Sequence, residues 1–371
     1  MHILHVGSSS AFVDFLVRYF ERAAPGQNRL VRYPAAPQAT SPLGTAFAAV
    51  GYARQLVAIV RAARRADLVV AHMMTLPSAL AVLGAPARAY RVWSGWGADY
   101  YGSGAGDTEG LLGSQTEKLV ADLGLDRAPQ GGLLVRHLTE RVVDRAISKV
   151  DTFSAPIPDD FDIMRQRHPG FHGAYHQLNY ADIASFKGPS VIPAGGDILL
   201  GNSAWSANNH LEALEHLSGL DLGDRKILTP LAYGDRTYRD IVVERGRALF
   251  GDAFVPLLEP LPFDRYLDRV SRCGVVVMNH FRQQGLGNIG IGLYSGAHIY
   301  LSRRNPLHAF LSRAGLDIHE FETATTLPRA PVVGAALERR RELMRAIWGE
   351  DVVLGNVQRL LNAARSSGRD D

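Results

Sequence analysis

Val275-Val276-Val277-Met278-Asn279-His280-Phe281-Arg282-Gln283-Gln284-Gly285-Leu286-Gly287-Asn288 is the stretch whose reading decides the fold. Val275 to Met278 reads as a buried strand, and Ile289 to Ala297 as a short helix. Between them lies a turn with glycine and a cationic residue. A strand, such a turn, then a helix presents backbone N–H groups to a phosphate. Gly285 and Gly287 let the backbone approach closely, and Arg282 adds a bidentate charge. The full dinucleotide fingerprint is absent, because Phe281 to Tyr300 contains no acid to grip a ribose. The structural alternative is a loop in which Arg282 pairs with a surface acid and Gln283 and Gln284 are solvated.

The same alternation runs outward in both directions. Further strands are expected at Ile3–Val6, Leu68–Ala71, Ala89–Trp93, Thr152–Ala155, Ile198–Gly201, Lys226–Thr229, Ala253–Leu257 and His298–Leu301, with amphipathic helices between. Continuous apolar strands of this kind suit parallel α/β sheets covered on both faces. Gly188 to Gly196, rich in Pro and Gly, is the expected boundary. It divides the chain into Rossmann-like lobes at residues 1–188 and 189–371. From about Ala335 the pattern predicts two helices, able to pack back on the N-terminal lobe, and a frayed tail at Ser366–Asp371. Gly102 to Gly132 is glycine-rich, either an active-site loop or slack surface.

The chain has 371 residues, 46% hydrophobic and 21% charged, with net charge +3. This is ordinary globular composition with length for about two domains. Lys and Arg are scattered, so no nucleic-acid partner is expected. Cys273, the single cysteine, cannot make an internal disulfide or a zinc cluster, and reads as a core thiol. The N-terminus opens on a strand, without a signal-peptide pattern, and no window approaches the ~18 apolar residues of a membrane span. A cytoplasmic protein with at most peripheral membrane contact is expected.

Other segments carry candidate chemistry. Gly201 to His210 supplies Asn202, Ser203, Ser206, Asn208 and His210 after a strand, more hydrogen-bonding capacity than a helix cap requires. It reads as a diphosphate or sugar pocket. Tyr233, in the turn Thr229–Gly234, can pack on a base or ribose. Trp96-Gly97-Ala98-Asp99 follows a strand, where open sheets place functional groups. Asp99 is the first choice for a general base, with a turn carboxylate as the structural alternative. His72 also ends a strand, as an alternative base, a donor or a structural histidine. Asp160-Phe161-Asp162 has the form of a metal motif but reads as a helix start, so no metal and no cofactor are expected.

These residues resemble a known family, the bacterial 4-acetamido-4,6-dideoxy-D-galactose (Fuc4NAc) transferases of enterobacterial common antigen synthesis. The matching pieces are His5-Val6-x-Ser8, His72, Trp96-Gly97-Ala98-Asp99, Gly201-Asn202-Ser203 with Asn208 and His210, Pro230 with Tyr233 or Gly234, Arg282-Gln283-Gln284-Gly285-x-Gly287 and Asn305-Pro306. They span residues 1 to about 320. The resemblance implies a GT-B glycosyltransferase, two Rossmann-like lobes with a cleft between them, inverting and metal-independent. The donor is a nucleotide sugar, dTDP- or UDP-linked. The acceptor is an undecaprenyl-diphosphate-linked saccharide at the inner face of the cytoplasmic membrane. It places Asn202, Ser203, Asn208, His210, Arg282, Gln283, Gln284, Gly285 and Gly287 on the donor side, with Tyr233 and Asn288 beside them. Ser8, His72, Trp96 and Asp99 fall on the acceptor side.

Asp99 would then take the acceptor proton, and Arg282 would stabilise the leaving diphosphate. Leu133 to Lys149, with Arg136, Arg141, Arg145 and Lys149, and the segment Gln55 to Arg65 are candidates for an anionic membrane surface. The competing functions are a phosphosugar or nucleotide-sugar epimerase of similar fold and a non-catalytic two-lobe binding protein.

Overall fold

A computed structural model of the chain describes residues 1–33, 42–102, 110–125, 133–187 and 196–367, with backbone alone at 42–49 and 133–136. Gly104, Gly106, Gly131 and Gly132 of the glycine-rich segment lie outside the described residues. So do 188–195 of the expected boundary and 368–371 of the tail.

The described strands are β1 (Ile3–Gly7), β2 (Asn28–Arg32), β3 (Leu68–His72), β4 (Tyr90–Ser94), β5 (Thr152–Ser154), β6 (Ala174–Tyr175), β7 (Ile198–Leu200), β8 (Ile227–Pro230), β9 (Phe254–Leu257), β10 (Val275–Met278), β11 (His298–Leu301) and β12 (Ile318–Glu320). They form two six-stranded sheets, ordered β2-β1-β3-β4-β5-β6 and β12-β11-β10-β7-β8-β9. Every pairing is parallel. Each order reverses once, between β1 and β3 in the first sheet and between β7 and β10 in the second. Open α/β sheets bind ligands beside such reversals, outside the carboxyl ends of the strands.

Residues 1–33, 42–102, 133–181 and 350–367 form one compact unit, and residues 110–125, 182–187 and 196–349 form the other. In the first, Ile3, Leu68, Val70 and Val92 pack with Leu16 and Phe20 of helix Ala11–Ala23. Val353, Val357, Leu360 and Leu361 of helix Glu350–Ser366 close the same core, and Arg22 pairs with Glu350 at 2.7 Å. In the second, Ile198, Leu200, Ile227, Val275 and Val277 meet Leu214, Leu217, Tyr238 and Val242 from flanking helices.

Two segments therefore depart from a single cut near residue 188. Helix Glu350–Ser366 is apolar on the side facing helix Ala11–Ala23 and joins the first unit. Helix Ser114–Leu123 joins the second because Glu212 accepts from the Thr116 N–H at 2.8 Å and from its hydroxyl at 2.6 Å. Asn209 also accepts from the Gly113 N–H at 2.8 Å. Gly113 sits tight against Glu212, whose Cδ would be 2.5 Å from an added Cβ.

Candidate functional site: two turns at the second sheet reversal

β7 and β10 are neighbours, and the turns after them are joined side chain to side chain. Gly201 ends β7 at φ +68°, a backbone region that favours glycine. Its N–H donates to the Val277 carbonyl at 3.0 Å, continuing the ladder. The next N–H, of Asn202, donates to Asn208 Oδ1 at 2.9 Å. The Asn208 amide nitrogen donates to Ser203 Oγ at 3.1 Å and to the Trp205 carbonyl at 3.0 Å. Those two donations fix the amide's orientation, so Oδ1 is an acceptor.

From the other turn, His280 Nε2 stands 2.8 Å from Asn208 Oδ1 and 3.1 Å from Asn202 Oδ1. Both partners are oxygens, so Nε2 carries the proton. Gln284 Nε2 donates to Asn202 Oδ1 at 2.9 Å, and Arg282 Nε donates to Gln284 Oε1 at 2.7 Å. Asn202 Nδ2 faces Tyr233 Oη at 3.4 Å. One polar lattice thus runs from Arg282 through Gln284, Asn202, His280 and Asn208 to Ser203. The side chains named in it carry no carboxylate, and Arg282 brings the cationic charge. Gly285, at φ +73°, caps helix Leu286–Ser295, which starts beneath the lattice.

Below lie buried histidines. His210 packs under Gly201, and both its ring nitrogens are buried without a hydrogen-bond partner. Burial lowers its pKa to about 3. His280 is held well below 6.5 by burial, then by Arg282 and His210. Both are neutral at pH 7. Asn209, at φ 52°, and Asn279 brace the base of the two turns. Each donates to the other's carbonyl, at 3.1 and 3.2 Å.

In the first unit, Asp99 Oδ2 accepts from the Met74 N–H at 2.8 Å and Trp93 Nε1 at 2.6 Å, and Oδ1 accepts from the Trp96 N–H at 2.8 Å. Burial raises its pKa, and these donors oppose the rise. A half-buried carboxylate holding three N–H groups braces the turn at 96–99, as the turn-carboxylate alternative to a general base would have it. Trp96 packs edge-on against Tyr180 at 5.7 Å. Ser8 is half-buried just past β1. His72 ends β3, buried, with Nε2 3.1 Å from His5 Nδ1.

Residues 183–334, which include both turns, match the family described as 4-alpha-L-fucosyltransferase, glycosyl transferase group 56. The resemblance to Fuc4NAc transferases read from the sequence is to this family. Nearly the whole chain resembles solved structures of GT-B glycosyltransferases. Sucrose-phosphate synthase from Thermosynechococcus elongatus has TM-score 0.62 at 12% identity, with 99% of this chain and 100% of that one covered. A UDP-forming trehalose-phosphate synthase from Burkholderia xenovorans gives 0.62 at 11% identity, with 100% of both chains covered. Anabaena HepE in complex with UDP-glucose gives 0.57 at 12% identity, covering 99% of this chain and 95% of that one.

The protein is a glycosyltransferase. Beside the two turns, the transferase has a cavity of about 270 Å³ at the ends of β8 and β9, lined by Ala204, Tyr233, Gly234, Arg236 and Glu259 among others. Ala204 and Gly234 bridge here, and a Cβ on Gly234 would meet the Ala204 carbonyl carbon at 2.4 Å. Trp205 and Tyr233, flanking that bridge, are 51% and 59% exposed, enough to stack on a ring.

Of the donor-side residues expected in the transferase, Asn202, Ser203, Asn208, Arg282 and Gln284 come together in the lattice. Gln283 is half-buried on the same turn. His210 lies beneath it. Asn288 is turned away, accepting from Tyr266 Oη at 2.8 Å, and so braces the helix start. Gly287 is exposed, with nothing within 4 Å of an added Cβ. Sequence reasoning missed His280, Asn279 and Glu259. His280 had a readable signal, a polar residue two past the end of an apolar strand. Glu259 had none, since nothing local marks it as facing the cavity.

Proposed function

We propose that this transferase moves a deoxyamino sugar from a nucleoside-diphosphate donor, dTDP-linked, onto a lipid-linked saccharide with inversion at the anomeric carbon. The observation that carries the donor reading is the lattice joining the β7 and β10 turns. It combines Arg282, amide side chains and a helix N-terminus at a sheet reversal, which suits a diphosphate. The matched family's description names fucosyl transfer, which favours a 6-deoxy sugar. The base and ribose enter the cavity beside Tyr233 and Trp205. Glu259, on its wall, supplies the ribose-gripping acid that helix Leu286–Ser295 lacks.

Arg282 and the backbone amides take the charge that develops on the leaving diphosphate, the role a metal fills elsewhere. A thermal-shift panel with dTDP, UDP and GDP tests the donor. Stabilisation by dTDP above the others is expected, and no stabilisation by any of them contradicts the reading. Proton NMR of the first-formed product tests the stereochemistry.

The proposed acceptor is undecaprenyl-diphosphate-linked, met at the inner face of the cytoplasmic membrane. No described helix is long and apolar enough to cross a membrane. Helix Pro42–Ala63 and the turn after it expose Val50, Arg54, Val57, Arg61, Arg64 and Arg65, a mixed apolar and basic stripe suited to anionic lipid. It fits better than helix Leu133–Ile147, where Glu140 and Asp144 are exposed alongside Arg141 and Arg145. Flotation with anionic vesicles at low salt should carry the protein, and failure to float removes the membrane from the proposal.

A further inference from the structure

The second unit includes a segment that its sheet does not require. The chain leaves the first unit after the Asp99 turn, contributes residues 110–125 to the second, and goes back for residues 133–181. Three side chains anchor the segment. Arg304 donates to the Gly110 carbonyl at 2.7 Å, while its guanidinium lies 3.9 Å from the centre of the Phe281 ring, on the residue before Arg282. Asn209 donates to the Leu111 carbonyl at 3.1 Å and accepts from the Gly113 N–H at 2.8 Å. Glu212, in helix His210–Ser218, holds Thr116 through its N–H and its hydroxyl. Leu111 and Leu112 are buried, and Leu112 packs with Ala207 of the turn after β7.

Asn209 is the joint between this segment and both turns. It is wholly buried, and it follows Asn208, whose Oδ1 holds the Asn202 N–H and His280. Both of its amide protons are used, one on Leu111 and the other on the Asn279 carbonyl at 3.1 Å. Asn279 donates in return to the Asn209 carbonyl at 3.2 Å, and the next residue is His280. One carboxamide thus touches the docked segment on one side and the base of the β10 turn on the other. The backbone there is left-handed, at φ 52°, which asparagine tolerates and glycine adopts freely. Glycine would serve that backbone, so what asparagine adds is its amide.

We infer that residues 110–125 form part of the frame of the donor site, with Asn209 as the positioning residue through which their docking holds the two turns at their spacing. This rests on the reading of those turns as a diphosphate site. With the segment docked, the Asn209 carboxamide is pinned by Leu111, Gly113 and Asn279 together. With it released, the carboxamide loses two of those three partners and can turn away from Asn279, which loosens the base of both turns. A ligand that binds only the spaced turns must then favour the docked segment by the same factor that docking favours the ligand. Donor binding and docking of residues 110–125 are one linked equilibrium.

Hydrogen exchange with and without dTDP, in the wild type, Asn209→Gly and Glu212→Ala, is the test, with dTDP affinity from calorimetry and unfolding midpoints alongside. In the wild type, dTDP should slow exchange across residues 110–125 by about 5-fold or more. Asn209→Gly keeps the backbone and deletes the joint, so dTDP should bind the folded variant about 10-fold more weakly. Glu212→Ala leaves every lattice side chain in place and loosens the segment at Thr116. It should speed exchange there and weaken dTDP binding by about 3-fold. A brace for stability alone would lower both midpoints and leave dTDP binding unmoved. Unchanged dTDP affinity in Asn209→Gly overturns the inference, as does unchanged affinity in a Glu212→Ala protein whose segment exchanges faster. So does a wild type that binds dTDP without protecting residues 110–125. A wild type that binds none of dTDP, UDP and GDP overturns the diphosphate reading itself, and the inference with it.

Discussion

His280 Nε2 lies 2.8 Å from Asn208 Oδ1, and this bond joins the turn after β10 to the turn after β7. Asn208 Oδ1 also holds the Asn202 N–H, so one carboxamide oxygen sets the spacing of both turns. His280→Leu removes the donor and leaves that oxygen half-satisfied. A buried hydrogen bond of this kind contributes on the order of 1–2 kcal/mol. Calorimetry should show dTDP binding about 10-fold weaker, with stability lower by about 1–2 kcal/mol in urea unfolding. An unaltered affinity would mean that the turns keep their spacing without it.

Two glycines should respond in opposite ways. Gly201→Ala places a Cβ 2.6 Å from His210 Nε2, at φ +68°. Strain and overlap together should lower stability by about 2–3 kcal/mol in urea unfolding. Gly287→Ala meets nothing within 4 Å, so stability should hold or rise slightly. If the diphosphate comes close to Gly287, the same variant should bind dTDP about 10-fold less tightly. Unchanged binding would remove Gly287 from the donor contacts.

Asp160 gives a pH prediction. Tyr100 Oη donates to its Oδ2 at 2.7 Å and Tyr101 Oη to its Oδ1 at 2.6 Å. Burial still outweighs these bonds and raises its pKa from 3.8 to about 7. The folded state therefore holds a proton that the unfolded state loses above about pH 4. This contribution to stability is full below that pH and is lost as pH rises through about 7. Between those two values the loss runs at roughly 1.4 kcal/mol for each step of one in pH. Asp160→Asn, which cannot titrate, should flatten that decline. Parallel wild-type and variant curves from pH 4 to 7 would contradict the placement.

Asp99→Asn separates strut from base. The variant carboxamide cannot accept all three N–H groups that the carboxylate holds. Stability should fall by about 1–3 kcal/mol, while kcat per folded molecule stays within about 10-fold of wild type. Full stability with a ~10³-fold fall in kcat would return the base role to Asp99.

Legibility in the sequence followed burial. The strands read correctly from apolar runs include all those with neighbours on both sides, such as Leu68–His72 and Val275–Met278. The three that were missed, Asn28–Arg32, Ala174–Tyr175 and Ile318–Glu320, are all sheet edges. Water reaches one side of an edge strand, so Asn28, Arg29 and Arg32 are compatible with it and the apolar signal is lost. The two polar turns after β7 and β10 were legible because strand ends, glycines and polar clusters sit together in the chain. The His5–His72 pair was not, since 67 residues separate its members and only the parallel register of β1 and β3 unites them. Helix Ser114–Leu123 joins the second unit through Asn209 and Glu212, contacts that local periodicity does not encode.

On the proposed reading, the two turns at the β7–β10 reversal hold a nucleoside diphosphate through Arg282. Calorimetric titration of dTDP into the wild-type chain and into Arg282→Ala tests it most directly, with unfolding midpoints measured alongside. Saturable binding by the wild type and a weakening of ~10-fold or more in the folded variant are expected. Equal affinity in both proteins, or no binding by the wild type to dTDP, UDP or GDP, would contradict it.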